Sequence, residues 1–97
     1  MATYVVLVNF TDQGIRNVKE SPKRYQAFKA AAETMGVRQK DVWWTIGAYD
    51  IVTTIEGSEE AVTAALLRLG SMGNVRTQTL RAWAPDEFGR ILKKATS

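Results

Sequence analysis

The sequence predicts one α+β domain, a four-stranded antiparallel sheet built in the order βαββαβ and followed by a C-terminal helix. Three observations carry this. Four stretches rich in Val, Ile, Thr and aromatic residues alternate with segments of helical periodicity. The second and third stretches are joined only by Gly47-Ala48-Tyr49-Asp50, a connection short enough to imply an antiparallel hairpin. The chain is 97 residues long, 45% hydrophobic and 24% charged, the size and balance of a single domain spanning residues 1–97.

The first strand is expected over 3–10, where Tyr4, Val6, Val8 and Phe10 share one side and Val5 and Leu7 the other. A strand apolar on both sides is normally covered on both. Thr11 and Asp12 can cap a short helical turn through their side-chain oxygens. Ser21-Pro22 interrupts it and restarts a longer helix, with Ser21 as N-cap and Pro22 in the first turn. Tyr25, Phe28, Ala32 and Met35 then recur at helical spacing, and Gly36 ends the helix. The second strand, 37–46, begins with the polar run Arg38-Gln39-Lys40-Asp41, which suits an edge or a projection beyond the sheet. The third, 51–56, alternates Ile51, Thr53 and Ile55 with Val52 and Thr54. Ser58 caps the next helix, with Glu59 and Glu60 at its positive end and Val62, Ala65, Leu66 and Leu69 as its apolar stripe. The fourth strand covers 74–83. Pro85 opens the last helix, whose buried face is expected to be Phe88, Ile91, Leu92 and Ala95, with Lys93 and Lys94 near its C-terminus. Two right-handed crossovers place two helices on one side of the sheet, the ferredoxin-like split βαβ layout.

The other side of that sheet is left uncovered although its strands lack a clean polar row. Burial is worth about 25 cal/mol per Å² of apolar surface, so the simplest resolution is a homo-oligomer in which two sheets pack face to face as a dimeric α/β barrel. The last helix and the polar start of the second strand would reach across to the partner. The alternative is that the last helix folds back over its own sheet.

Composition removes most catalytic constellations. With no Cys and no His there is no thiolate or imidazole metal site, no Cys nucleophile and no His-based triad. A metal would need carboxylates alone, and Asp12, Asp41, Asp50 and Glu56 are dispersed. Gly70-Ser71-Met72-Gly73 lacks the Lys-Ser or Lys-Thr of a phosphate loop. No metal and no cofactor are therefore expected. Thirteen Lys and Arg against ten Asp and Glu leave a net charge of +3 with no like-charge block. Lys19, Lys23, Arg24 and Lys29, and then Arg90, Lys93 and Lys94, suit solvated helix faces, and no nucleic-acid partner is expected. No apolar run approaches a membrane span, and Met1-Ala2-Thr3-Tyr4 lacks the cationic flank of a signal peptide. A cytoplasmic protein is the expectation.

At Gly47-Ala48-Tyr49-Asp50 the sequence resembles the GYD domain family of small ferredoxin-like proteins. Ala2-Thr3-Tyr4, Thr11-Asp12-Gln13-Gly14, Glu56, Gly73-Asn74-Val75-Arg76-Thr77 and Thr79-Leu80 agree in order and spacing, so the resemblance covers essentially the whole chain. Gly57-Ser58 stands where the family usually has Pro-Asp after the third strand, a change that keeps a helix-capping Ser. The resemblance implies the fold and an architecture of the dimeric α/β-barrel type. It implies no reaction.

Tyr49 and Asp50 are the sharpest candidates for chemistry, since a carboxylate beside a phenol at a strand mouth can accept a proton or orient a polar ligand. The same pair can equally build the turn, Asp50 by bonding amides and Tyr49 by packing its ring. Trp43 and Trp44 point to opposite faces, one into the helix-side core and one onto the open face; Trp44 is the ligand-binding candidate. Arg76 and Arg81 lie five apart and so on opposite faces. Arg81 shares its row with Thr77, Thr79 and Trp83, and Thr79 and Arg81 are candidates for a polar lining within a barrel. Arg81 pairing with Asp50 or Glu56 across strands is the alternative. Three readings result: an oligomeric binding or accessory module taking a small organic ligand at the open face, a cofactor-free enzyme using Asp50 or Tyr49 in proton transfer, and a purely structural assembly subunit.

Overall fold

A computed structural model describes residues 1–97. In chain order it contains β1 (Ala2–Phe10), α1 (Asp12–Arg16), one 3-10 turn (Val18–Glu20), α2 (Ser21–Thr34), β2 (Arg38–Trp44), β3 (Ile51–Gly57), α3 (Glu59–Ser71), β4 (Val75–Ala82) and α4 (Pro85–Thr96). The strands lie in the order β2-β3-β1-β4, every neighbouring pair antiparallel. This is the expected α+β, ferredoxin-like arrangement. The sheet of the single chain is open, with β2 and β4 as its edges.

Alternation along the strands decides the two faces. Tyr4, Val6 and Val8 of β1, Ile55 of β3 and Val75 of β4 are buried, together with Ala32 of α2, Val37 just after it, and Val62 and Ala65 of α3. This is the core, under α2 and α3. Each such aliphatic side chain contributes roughly 1.5–3 kcal/mol when fully removed from water. Val5 and Leu7 lie on the other face and stay half-buried. The helices begin as their local chemistry dictates. Thr11 Oγ1 accepts the Gly14 N–H at 3.1 Å, and Ser58 Oγ accepts the Ala61 N–H at 3.1 Å. Ser21 departs from expectation. It is buried, belongs to the helix itself, and its Oγ accepts from Trp44 Nε1 instead of capping.

Two further expectations are corrected. β2 ends at Trp44 instead of Ile46, because the chain turns at Thr45, whose N–H bonds the Asp50 carbonyl at 2.8 Å. The face of α4 expected to be buried is not: no residue of the helix is buried, and Phe88 is 48% exposed. α4 leads away from the layer, and the radius of gyration of 14.8 Å exceeds the ~13 Å of a compact chain of about 100 residues.

β1 is tied to β4 by a close approach at Gly14. Thr11 donates its N–H to the Asn74 carbonyl at 3.0 Å and its hydroxyl to the Gly73 carbonyl at 2.6 Å. A Cβ at Gly14 would stand 1.9 Å from the Asn74 oxygen. Gly14→Ala is therefore expected to lower unfolding stability by about 3 kcal/mol, the upper range for overpacking, in urea titration followed by circular dichroism. A loss within experimental error would contradict the close approach.

Candidate functional site

The Gly47–Asp50 turn is held by a dense set of bonds. Gly47, at φ 144°, adopts a conformation that L side chains rarely take. Asp50 donates its N–H to the Val8 carbonyl at 2.8 Å, and its Oδ2 accepts the Phe10 N–H at 2.8 Å. Its carboxylate thereby serves the last amide of β1. Thr45 Oγ1 donates to the Tyr49 carbonyl at 2.5 Å. The Tyr49 hydroxyl donates to Gln78 Oε1 at 2.8 Å. Because β1 lies between β3 and β4, that bond links the turn to β4 across β1.

The five candidates Trp44, Tyr49, Asp50, Thr79 and Arg81 do not converge on the open face. Thr79 pairs with Val6 and Arg81 with Tyr4, so both belong to the helix-bearing face. Thr79 borders a groove between α3 and β4 with Val62, Leu66 and Thr77. Arg81 lies over the rings of Tyr4, at 5.6 Å, and Trp83, at 4.5 Å, and its Nη1 donates to the Thr3 and Ala82 carbonyls. Glu56 is paired with Lys40 at 3.7 Å, and neither it nor Asp50 pairs with Arg81. Arg76 and Arg81 do lie on opposite faces, Arg76 opposite Asn9.

Trp44 is on the helix-bearing face as well. Its indole N–H bonds Ser21 Oγ at 2.9 Å and its ring meets Tyr25 edge-on with centroids 5.8 Å apart. Trp43 is the tryptophan of the open face, opposite Val52. The cause is a bulge. Gln39 pairs with Ile55 and Asp41 with Thr54, leaving Lys40 as an extra residue. Gln39 before the bulge and Val42 and Trp44 after it thus share the helix-bearing face. The open face presents Val5 and Leu7 of β1, Val52 of β3, Trp43 of β2 (54% exposed) and Leu80 of β4 (51% exposed). Asp41, Glu56, Arg76 and Gln78 rim it.

Two cavities lie on the helix-bearing side. One is the groove beside Thr79. The other, of about 220 Å³, lies between the sheet and the two helices α2 and α3 and is mostly apolar. Sequence reasoning gave Ser21 only a capping role, chose Trp44 instead of Trp43 for the open face, and did not single out Gln39. The polar run Arg38–Asp41 inside a strand pattern is the one signal that points to a bulge there.

The chain matches the GYD domain over residues 4–92. A Thermus thermophilus protein named "Glutamine synthetase and cystathionine beta-lyase binding protein" is 36% identical over 84 residues, covering 84% of this chain and 88% of that protein. The crystal structure of TTHA0845, also from Thermus thermophilus, superposes with a TM-score of 0.53, at 24% identity, over 87% of this chain and 95% of that one; the likeness speaks for the fold. With the match running from β1 into α4, this chain belongs to the GYD domain family.

Proposed function

We propose that this protein is an accessory binding module: two copies pair through their open sheet faces, and the pair docks on a metabolic enzyme. The observation that carries the reading is the apolar surface one copy leaves bare. Trp43, Leu80, Val5, Leu7 and Val52 form a contiguous patch across four strands, and Phe88, Ile91 and Leu92 of α4 stay 39–48% exposed. Patches of this kind on small proteins mark interaction sites. A second copy offers the same patch and an α4 free to reach across, the self-complementarity that a two-fold interface needs. The relative's name supports the class of the second partner: amino-acid-metabolising enzymes such as glutamine synthetase and cystathionine beta-lyase. The engagement of Asp50 with the Phe10 amide and of Tyr49 with Gln78 favours a bracing role for this turn over proton transfer.

Light scattering is expected to give about twice the chain mass of 10.8 kDa, and Trp43→Asp to return it to one chain. A wild-type protein of one chain mass would overturn the pairing. Biolayer interferometry of immobilised wild-type protein against purified glutamine synthetase and cystathionine beta-lyase is expected to show saturable binding to at least one. Binding no stronger than to an unrelated enzyme of equal charge would reject the docking.

The bracing role has its own consequence. Asp50→Ala leaves the Phe10 N–H without its acceptor and is expected to cost about 1–3 kcal/mol of unfolding stability. Asp50→Asn keeps an acceptor oxygen and is expected to lose less. Equal stabilities for all three proteins in denaturant titration would count against the brace.

A further inference from the structure

The two helices over the sheet run in opposite directions, because α2 follows β1, α3 follows β3, and β1 and β3 are antiparallel. The entry of α2 therefore lies beside the exit of α3. Thr11 and Gln13, upstream of α2, accordingly donate to the carbonyls of Gly73 and Met72, just after α3. A crevice of about 220 Å³ opens between the helices. Its accessible walls are Phe28 and Ala31 of α2 and Leu66, Leu69 and Met72 at α3, none of them buried. The gap has a local cause. Arg24, Ala27, Phe28 and Ala31 stand at i, i+3, i+4 and i+7, one stripe of α2, and its two alanines are too short to reach α3.

The crevice carries charge of one sign. Arg24 and Arg68 line it, and no Asp or Glu does. Arg24 is near the start of α2 and Arg68 in the last turn of α3, so both cations sit at the same end. Neither belongs to an ion pair: the two of the chain join Lys23 to Glu20 and Lys40 to Glu56. Arg24 gives Nη1 to the Asn17 carbonyl at 3.0 Å and Nη2 to the Gly14 carbonyl at 3.3 Å, which fixes its guanidinium at this end and leaves part of its five donors unused. The start of α2 also reverses the usual pattern. Its first turn holds no acid, and Lys23 and Arg24 stand where the helix dipole favours anions.

We propose that this crevice binds an amphipathic carboxylate, an aliphatic acid of medium length, with its hydrocarbon tail between α2 and α3 and its head group at the Arg24–Arg68 end. The volume exceeds the roughly 150 Å³ of an apolar cavity that takes up benzene, so a tail of several carbons has room. The tail gains from apolar burial and the head group from opposite charge. A neutral head group leaves the arginines without a counter-charge and a cationic one is repelled, which gives the site its selectivity. The crevice is on the opposite side of the sheet from the proposed pairing surface, so loss of pairing and loss of acid binding are separate outcomes.

The test uses the full chain with octanoate and 1-octanol, which share an eight-carbon skeleton and differ in charge, in isothermal titration calorimetry at low ionic strength. Saturable binding of octanoate is expected, about fivefold tighter than 1-octanol, the worth of ion pairs at an exposed mouth. Added NaCl is expected to shrink that preference. Arg68→Gln, at an exposed position, is expected to weaken octanoate about threefold and to leave 1-octanol unchanged. Ala31→Leu fills the crevice from α2 and is expected to weaken both ligands with unchanged helix content in circular dichroism. No saturable binding of octanoate, equal affinity for the two probes, or unchanged octanoate affinity in either variant would each overturn the proposal.

Discussion

The extra residue at Lys40 decides which side of the sheet every later residue of β2 occupies. A strand has a side-chain period of two, so one inserted residue inverts the rest. Without it, Gln39 on the helix side would be followed by Asp41 and Trp43 on that side, a carboxylate in the core and the indole of Trp44 outside. With it, Asp41 turns to the open rim. There its Oδ2 accepts from Thr54 Oγ1 at 3.3 Å and its carbonyl accepts from Thr53 Oγ1. The neighbouring threonines of β3 thus hold the bulge from both faces at once. Edge strands commonly carry such bulges, which bend them away from continued pairing, and β2 is an edge.

From that constraint follows a division between the two faces. The helix-bearing face closes over a core of valines, alanines and one isoleucine, with Tyr4 at its margin. It is thin, because α2 brings mostly alanine to the sheet. A 97-residue chain buries only about two-thirds of its unfolded surface, so a thin core leaves little margin. The open face and α4 hold five of the exposed large apolar groups, Trp43, Leu80, Phe88, Ile91 and Leu92. The chemistry of α4 is that of a fully formed helix: Pro85 in its first turn, Glu87 Oε1 accepting the Ala84 N–H at 2.9 Å, and Lys93 and Lys94 in its last turn. Its amphipathic pattern is complete while none of its apolar residues is buried, as in a helix shaped for a surface outside its own chain.

How much of this was legible depended on the range of the interactions. Element order, the antiparallel hairpin, the caps at Thr11 and Ser58 and the stripe of α3 follow from residues within one or two turns of each other, and the structure has them. The opposition of Trp43 to Trp44 and of Arg76 to Arg81 was also legible, being a matter of parity. Which member of each pair faces the helices was not. For Trp44 the answer turns on a bulge four residues earlier, pinned by threonines of another strand. For Arg81 it turns on pairing with Tyr4, 77 positions away in sequence, which sets the guanidinium over Tyr4 and Trp83. Ser21 reads as a cap from its neighbours, and only the approach of Trp44 from β2 takes its oxygen for another purpose. Local chemistry nominates a role, and the strand register then assigns it.

The same register raises the question of why a glutamine stands at position 39. The bulge alone does not require it, since the Thr53 hydroxyl reaches the Asp41 carbonyl without help and Thr54 grips the Asp41 carboxylate. The Gln39 Nε2 bond to Thr53 adds one interaction, worth about 1 kcal/mol net, and strands the other end of the amide at a penalty of about 1–3 kcal/mol. A leucine of similar length would avoid the penalty and thicken a core that is short of bulk. Register specification therefore accounts for one end of this side chain and leaves the other unexplained. The unpaired oxygen is sealed from solvent on the helix-bearing face, so this side chain is kept at a net cost to stability.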